Sequence, residues 1–319
     1  MFLLMKNITL LVVTLFFASM ATAQQPYPFT VKYIDLHMEQ QTVRMAYMDT
    51  APAVYKHTVM LFHGKNFNGY YWKDVAAYLL GKGCRVIIPD QVGWGRSGKP
   101  NIHYSFHALA ANNRILLDSL HISSVVLIGH STGGMLAARF TLMYPDVVSK
   151  LVLEDPVGLE DYRTFVPYTK LDDLYNTESA ATYGSYKKYM LSYFPEWKPE
   201  YEELVKQQAA ALNDPGFKQI AWANALTYQM IYEQPVCYEL KNIKAKTLLM
   251  IGQEDRTIVG KDKVPKTLLN KYGQYPELGR KTKAQIKGST LVEFPGVGHI
   301  PHIQQPEKFT TQLGLFLGK

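Results

Sequence analysis

Short apolar runs alternate with segments of helical periodicity along most of this chain. A near-continuous apolar run at 124–128 is typical of a strand covered on both faces of a sheet. Alternation of this kind predicts a mostly parallel α/β sheet flanked by helices, here preceded by an antiparallel hairpin. The predicted strands cover residues 29–39, 43–48, 57–62, 84–89, 124–128, 151–153, 247–251 and 290–294, and the predicted helices cover 70–80, 106–120, 132–144 and 307–317.

Residues 157–235 interrupt this alternation. They contain ten tyrosines and two segments of helical periodicity, at 199–212 and 217–232, but no run that resembles a central strand. We interpret them as a helical cap inserted into the sheet domain, which would then comprise residues 24–156 and 236–319. Such a cap would lie over the carboxyl ends of the strands, where open α/β sheets place their sites.

The first 23 residues have the pattern of a signal peptide. Lys6 precedes an apolar run at 8–18, and the small residues at 21–23 form a cleavage signal. The run is too short for a spanning helix, and no cysteine follows it for lipid attachment. We therefore predict export to the periplasm or beyond, and no stable membrane anchor after cleavage. The alternatives are an uncleaved anchor and an incorrectly assigned start.

The composition is that of a globular protein. Of the 319 residues, 47% are hydrophobic and 19% are charged, which excludes a disordered chain. Most of the formal net charge of +7 comes from residues 260–288, which carry eight Lys and Arg against two Asp and Glu. We interpret this segment as a solvated surface, the alternative being attraction of an anionic substrate or polyanion. No nucleic-acid-binding motif accompanies it, so we predict no nucleic-acid partner.

Cys84 and Cys237 are the only cysteines of the chain. An oxidising compartment would permit a disulfide between them. Cys84, however, lies in a strand-like apolar run and is typical of a small core residue. We therefore favour two separate thiols, although spacing in the sequence alone does not decide the matter. Nothing in the sequence indicates an oligomeric state.

Residues 129–133 have the sequence Gly-His-Ser-Thr-Gly and lie between a predicted strand and a predicted helix. A strand that turns sharply into a helix strains its central residue and needs small neighbours, here Gly129 and Gly133. The Ser131 hydroxyl would then stand at a helix N-terminus, where backbone N–H groups favour developing negative charge. This context indicates a nucleophilic serine rather than a plain glycine-rich turn.

A serine hydroxyl needs a base, and the base needs an acid that orients it. Asp255 follows the predicted strand at 247–251, and His299 follows the one at 290–294. Both should therefore lie at the same sheet edge as Ser131. We predict Ser131 as the nucleophile, His299 as the general base and then acid, and Asp255 as the orienting acid.

Two other acids and one histidine compete for these roles. Glu254 adjoins Asp255, and Asp155 follows a different predicted strand, so each remains an alternative for the acid. His302 is three residues from His299 and resembles half of a metal site, but no clear third ligand accompanies it. We therefore predict neither a metal nor a cofactor.

Acyl transfer also needs donors for the carbonyl oxygen that becomes negatively charged. We predict an oxyanion hole formed by the backbone N–H of Thr132, next to the nucleophile, and that of Lys65, in the loop after the third predicted strand. Asn66 in this loop is a candidate contact for a small-molecule, ester-like substrate. Trp222 and Tyr228 of the cap are further candidates, although most aromatic residues of this kind pack a cap onto its core.

Taken together, these motifs make the chain resemble the α/β-hydrolase superfamily from about residue 58 to the C-terminus. The resemblance implies an α/β-hydrolase fold, a mostly parallel central sheet flanked by helices with a helical cap insertion, and a serine nucleophile. The motifs that carry it are His63-Gly64, residues 90–97, residues 129–134, Asp255 and Gly298-His299.

Two departures from relatives narrow the activity that the resemblance implies. Relatives that open epoxides or remove halides use an aspartate where this chain has Ser131, and the His-Gly-Gly-Pro-Gly loop of proline iminopeptidases is absent. We therefore predict a serine hydrolase of small or medium carboxylic esters. The alternatives are a C–C bond hydrolase or lactonase that uses the same three residues, and a non-catalytic binding protein of the same fold.

Overall fold

The structure is a computed structural model that describes residues 26–318, so the predicted signal peptide at 1–23 lies outside the described residues. These residues form one eight-stranded sheet with helices packed against both of its faces. The strands are β1 (Val31–Met38), β2 (Gln41–Thr50), β3 (His57–Phe62), β4 (Cys84–Pro89), β5 (Val125–His130), β6 (Val148–Glu154), β7 (Lys246–Gly252) and β8 (Thr290–Phe294).

Ten α-helices occur in the described part of the chain. Four of them, α4 to α7, lie between β6 and β7, within residues 157–235. The helices are α1 (Lys73–Gly81), α2 (Phe106–Ser119), α3 (Thr132–Met143), α4 (Leu171–Ser179), α5 (Tyr183–Leu191), α6 (Glu202–Ala209), α7 (Phe217–Glu233), α8 (Tyr275–Gln285), α9 (Pro301–Gln304) and α10 (Pro306–Leu317).

The strand order in the sheet is β1-β2-β4-β3-β5-β6-β7-β8. The pairs β1–β2 and β2–β4 are antiparallel, and every other neighbouring pair from β4 to β8 is parallel. The predicted hairpin and the predicted mostly parallel sheet are both confirmed. Since β3 and β5 to β8 run in the same direction, their carboxyl ends meet at one edge.

The central strands are apolar throughout because both of their faces are covered. In β3, Val59 and Leu61 belong to one buried cluster, whereas Met60 and Phe62 belong to the other. Residues of α1 and α10 complete the first cluster, and residues of α2, α3 and α8 complete the second. This two-sided burial explains the continuous hydrophobic runs that marked the strands in the sequence.

Two helices of the inserted segment 157–235 are absent from the sequence-based prediction. Each buries very little, because α4 has Leu174 as its buried residue and α5 has Tyr186 and Met190. Helices of nine residues with one or two buried positions offer few apolar positions by which a helix can be recognised in the sequence. Of the other two, α6 lies within the predicted segment 199–212, and α7 matches the predicted segment 217–232 and extends it by one residue.

The interpretation of residues 260–288 as a solvated surface is wrong for part of their length. Helix α8 begins with a proline in its first turn and buries Tyr275, Leu278 and Thr282. Its basic side chains stay on the outer face, where Arg280 and Lys281 are exposed. Residues 275–285 of the segment are therefore an amphipathic helix that covers the sheet beside β7, with its basic side chains on the outer face.

The structure also shows the state of the two cysteines and allows a search for membrane-spanning helices and metal-binding groups. Cys84 is buried and Cys237 is half-buried, and both are free thiols. No helix within residues 26–318 is long and apolar enough to cross a bilayer. In the same range, no group of three or more His, Cys, Asp or Glu side chains is arranged to hold a metal ion.

Candidate active site

Ser131 is the single residue between the end of β5 and the start of α3. Its backbone has φ of 56° and ψ of −121°, in the left-handed region that non-glycine residues rarely adopt. The turn is tight, because a Cβ on Gly129 would lie 2.2 Å from the carbonyl oxygen of Gly133. The N–H of Gly134 donates to the Ser131 carbonyl at 2.9 Å and holds this geometry. The predicted strand–turn–helix elbow is therefore present in the structure.

A continuous hydrogen-bonded chain joins Ser131, His299 and Asp255. His299 Nε2 lies 2.9 Å from Ser131 Oγ, and His299 Nδ1 lies 2.7 Å from Asp255 Oδ2. The other carboxylate oxygen, Oδ1, accepts the backbone N–H of Thr257 at 2.8 Å. With Nδ1–H donated to the carboxylate, Nε2 is left with a lone pair that faces the hydroxyl, so the imidazole can accept its proton.

The turns that carry Asp255 and His299 are packed against each other. A Cβ on Gly252 would lie 1.9 Å from the carbonyl oxygen of Gly298, so the two turns can approach only because position 252 lacks a side chain. A Cβ on Gly298 would lie 2.1 Å from the carbonyl oxygen of Tyr193, in the inserted segment. The backbone N–H of His299 donates to the carbonyl of Tyr193 at 2.8 Å. A residue of the inserted segment thus helps to hold the imidazole.

Neither alternative acid contacts His299 in this way. The side chain of Glu254 is 52% exposed and faces Arg256 at 3.9 Å. Asp155 is fully buried with φ of 35°, and both of its carboxyl oxygens accept the backbone N–H of Gly252, at 3.0 and 3.1 Å. Burial, followed by the negative charge of Asp255, raises the pKa of Asp155 well above its usual range.

Replacing Asp155 with asparagine should therefore change how stability depends on pH. The raised pKa means that the folded protein keeps this proton while the unfolded chain loses it, so the wild type loses stability as the pH rises above about 4. Asparagine has no proton to lose. The free energy of unfolding of Asp155→Asn, relative to wild type, should increase by up to about 1.4 kcal/mol per pH unit.

Denaturant unfolding of both proteins at pH 5 and pH 7.5 measures this difference. A difference between Asp155→Asn and wild type that is the same at both pH values would show that the Asp155 carboxyl is ionised in the folded protein.

His302, whose spacing from His299 resembles half of a metal site, contacts a buried carboxylate and an indole ring. Its backbone N–H and its Nδ1 contact the buried carboxylate of Glu154 at 2.7 and 2.9 Å. Its ring stacks on Trp72 with centroids 4.5 Å apart. The imidazole is thus fixed between a carboxylate and an indole beneath the site.

The loop after β3 runs directly beside the nucleophile. A Cβ on Gly64 would lie 3.2 Å from the Cβ of Ser131. The carbonyl of Gly64 is held by the N–H of Phe67 at 3.1 Å and by Nδ1 of His63 at 2.9 Å. Because this peptide is trans and planar, the N–H of Lys65 points in the opposite direction to that carbonyl. Its direction is therefore set by the loop.

The same loop lines a cavity of about 160 Å³ between the sheet domain and the inserted segment. Ser131 is 5% exposed and does not line this cavity. The loop therefore contacts the nucleophile through Gly64 and lines the cavity through the residues that follow it, so the two features are neighbours. The lining includes Lys65, Asn66, Phe67, Trp94, Arg96 and Asn224.

Of the three predicted substrate contacts, only Asn66 lines this cavity, and its amide donates to the hydroxyl of Tyr193 at 3.0 Å. Trp222 donates instead to the side chain of Asn101 at 2.8 Å. Tyr228 packs against Gly260, where a Cβ would lie 2.3 Å from its hydroxyl. Helix α7, which carries both aromatic residues, presents Asn224 to the cavity.

Comparison with known proteins identifies the family. The sequence model of the Alpha/beta hydrolase family matches residues 59–312. The chain belongs to this family. Its fold agrees with the crystal structure of a probable hydrolytic enzyme from Pseudomonas aeruginosa PAO1, with 41% identity and a TM-score of 0.90 over 92% of this chain and 96% of that chain.

Relatives of this alpha/beta hydrolase have several activities. The chain is 28% identical to a 2-hydroxy-6-oxo-2,4-heptadienoate hydrolase of Pseudomonas putida, over 81% of this chain and 88% of that protein. A thermophilic esterase from Thermogutta terrifontis shares the fold, with 22% identity and a TM-score of 0.70 over 90% of this chain and 98% of that chain. An uncharacterized protein of Mycobacterium tuberculosis is 35% identical, but the chain spans only 36% of its length.

One part of the site of this hydrolase has no sequence signal. The N–H of Gly64 donates to the hydroxyl of Tyr71 at 3.1 Å, and that hydroxyl lies 3.1 Å from His130 Nδ1. His130 Nε2 in turn donates to the carbonyl of His299 at 2.8 Å. Burial lowers the pKa of His130 well below its usual range, which keeps the ring neutral. This network ties the loop at Gly64 to the backbone of His299.

Proposed function

We propose that this alpha/beta hydrolase cleaves small or medium carboxylic esters through an acyl-enzyme formed on Ser131. The observation that carries the proposal is the buried hydrogen-bonded chain from Asp255 through His299 to the Ser131 hydroxyl. An alcohol is a weak nucleophile unless an adjacent base removes its proton, and this arrangement supplies the base and the group that orients it.

In the proposed reaction, Ser131 Oγ attacks the ester carbonyl carbon while His299 Nε2 takes the hydroxyl proton. Asp255 stabilises the imidazolium that forms. When the tetrahedral intermediate collapses, the bond to the leaving alcohol breaks and His299 returns the proton to that alcohol. Water then attacks the acyl-enzyme with His299 as base, and the carboxylic acid leaves as Ser131 regains its proton.

We propose that the negative charge on the carbonyl oxygen is held by two backbone N–H groups, those of Thr132 and Lys65. Thr132 is the first residue of α3, where backbone N–H groups have no partner within the helix. Lys65 has its N–H direction fixed by the hydrogen bonds on the Gly64 carbonyl. Donors fixed in advance stabilise the transition state without reorganisation.

A second candidate keeps the same three residues but cleaves a carbon–carbon bond or a lactone. The relative from Pseudomonas putida, which is named as a 2-hydroxy-6-oxo-2,4-heptadienoate hydrolase, favours this candidate. The two candidate activities differ in their substrates, because the same base and the same N–H donors can act on the carbonyl group of a carboxylic ester or of a ketone. The residues of the hydrogen-bonded chain therefore do not separate the two activities.

Assays of the purified protein on three substrate sets separate these candidates. The sets are p-nitrophenyl esters of increasing acyl length, simple lactones, and vinylogous 1,5-diketone acids. Ester hydrolysis with the highest kcat/KM among the sets supports the proposal. Turnover of a lactone or diketone without hydrolysis of any ester would favour the second candidate. No turnover of any set and no reaction with a fluorophosphonate would favour a binding protein.

A further inference from the structure

Arg96 lines the cavity, and its guanidinium has no anionic partner among residues 26–318. Its Nε is buried and has no hydrogen-bond partner, and no ion pair within residues 26–318 includes this side chain. Its guanidinium carbon lies 4.2 Å above the ring centroid of Tyr27. A stacked guanidinium keeps its N–H edges free in the plane of the stack, where a carboxylate can accept two of them.

The other two cations of the cavity already have partners. Lys65 Nζ lies 3.3 Å from a carboxylate oxygen of Glu178, on α4. Lys99 Nζ donates to the carbonyls of Gly95 and Ser97, both at 2.8 Å. Arg96 is therefore the cation of this cavity wall whose charged group remains available to a ligand.

Two further carboxylates at or near this wall are also occupied. Asp90 accepts the hydroxyl of Tyr27 at 2.6 Å and the backbone N–H of Arg96 at 2.7 Å on Oδ2, and a further backbone N–H on Oδ1 at 2.7 Å. Asp214 lines the cavity and accepts the backbone N–H of Gly216 at 2.7 Å. Asp90 thus anchors Tyr27 and the Arg96 backbone, and neither Asp90 nor Asp214 forms an ion pair with the Arg96 guanidinium.

We propose that Arg96 binds a carboxylate group of the substrate, so that the preferred substrates are esters with a free carboxylate at the far end of the acyl chain. This inference rests on the proposed ester hydrolysis and names its substrate class. Tyr27 is a positioning residue, because its ring and its hydrogen bond to Asp90 fix the guanidinium. On the same wall, the amides of Asn66 and Asn224 each donate one N–H within the protein, to the Tyr193 hydroxyl at 3.0 Å and to Glu178 at 3.1 Å, and each amide has a second N–H.

A matched pair of substrates tests the proposal: mono-4-nitrophenyl adipate, which carries a carboxylate, and its methyl ester, which does not. The quantity measured is the ratio of the two kcat/KM values at pH 7. Wild type should favour the carboxylate. Arg96→Gln should lower the ratio by about 10- to 100-fold, the range expected for hydrogen bonds to a charged group. Arg96→Lys should retain part of the preference, because it keeps the charge but not the two-pronged geometry.

Arg114→Gln is the matched control. Arg114 is a surface arginine on α2 that also lies over a tyrosine ring, at 5.7 Å, so its replacement removes the same charge away from the cavity. Its ratio should equal that of wild type. A wild-type preference that Arg96→Gln leaves unchanged, or one that Arg114→Gln lowers equally, would overturn the proposal.

A second readout separates this inference from the proposed function. Adipate should protect Ser131 from labelling by a fluorophosphonate, and Arg96→Gln should raise the concentration needed for half protection by about 10-fold or more. Protection that depends on Arg96 without any ester hydrolysis would contradict the proposed function and support the anion site. Ester hydrolysis without a carboxylate preference and without protection would do the reverse.

Discussion

Replacing Ser131 with alanine should lower kcat for an activated ester by a factor on the order of 10⁴ to 10⁶. The loss is large because the variant has no atom to accept the acyl group. The binding surface and the charge-stabilising donors remain, so some catalysis over the uncatalysed reaction is retained. Stopped assays of p-nitrophenyl butyrate hydrolysis at pH 8 measure it. The control is Ser119→Ala, which removes a hydroxyl at the end of α2 that donates to the Leu116 carbonyl at 2.8 Å and should keep wild-type kcat.

Activity of Ser131→Ala within about 10-fold of wild type would exclude Ser131 as the nucleophile, because loss of a serine nucleophile removes far more. Thermal unfolding of the variant completes this experiment. The residue at 131 has a positive φ, which alanine tolerates no better than serine, so the two proteins should have similar melting temperatures.

Asp255→Asn should lower kcat by a factor of about 10⁴, while Asp155→Asn should keep it within a few-fold of wild type. An asparagine amide can donate to His299 Nδ1, which favours the ring tautomer with its proton on Nε2. That tautomer cannot accept the proton of Ser131 Oγ, which lies 2.9 Å from Nε2. Asp155 instead contacts the backbone N–H of Gly252. An asparagine at position 155 would therefore leave the tautomer of His299 unchanged.

The comparison is made on kcat for one ester, with both variants confirmed as folded. A large loss in Asp155→Asn together with a small loss in Asp255→Asn would reverse the assignment of the acid. Equal losses in both variants would indicate that the two buried carboxyl groups act on His299 as a unit.

Much of the sheet could be predicted because its strands are buried on both faces. The strand at 57–62 agrees with β3, and the one at 84–89 with β4, since each is bounded by polar or glycine residues. The ends of helices were less predictable. Helix α1 begins at Lys73, later than expected, because the side chain of Asn68 accepts the N–H of Tyr70 and starts a preceding 3-10 turn.

The chemistry at the sheet edge was more predictable than the cavity. Ser131, Asp255 and His299 follow three different strands whose carboxyl ends must meet, so their proximity follows from the topology. The cavity wall depends on how the inserted helices pack, and no local pattern encodes that. Arg96 was assigned no role from the sequence, whereas the structure gives it a stacked position on the cavity wall.

The roles of Tyr27 and Tyr71 also could not be predicted from the sequence. Each is one of 22 tyrosines, and its importance comes from a partner far along the chain, Asp90 for one and His130 for the other. Hydrogen bonds between such distant residues have no periodicity in the sequence. They become visible only once the sheet brings the loops together.

Reaction with a fluorophosphonate at pH 8, followed by measurement of the protein mass and mapping of the modified peptide, reports directly whether His299 activates the Ser131 hydroxyl. We expect one adduct per chain, on Ser131, formed rapidly by wild type and at least about 100-fold more slowly by His299→Ala, because the base activates the hydroxyl. No adduct at Ser131, or an adduct formed equally fast without the imidazole, would show that the hydrogen-bonded residues do not make Ser131 a nucleophile.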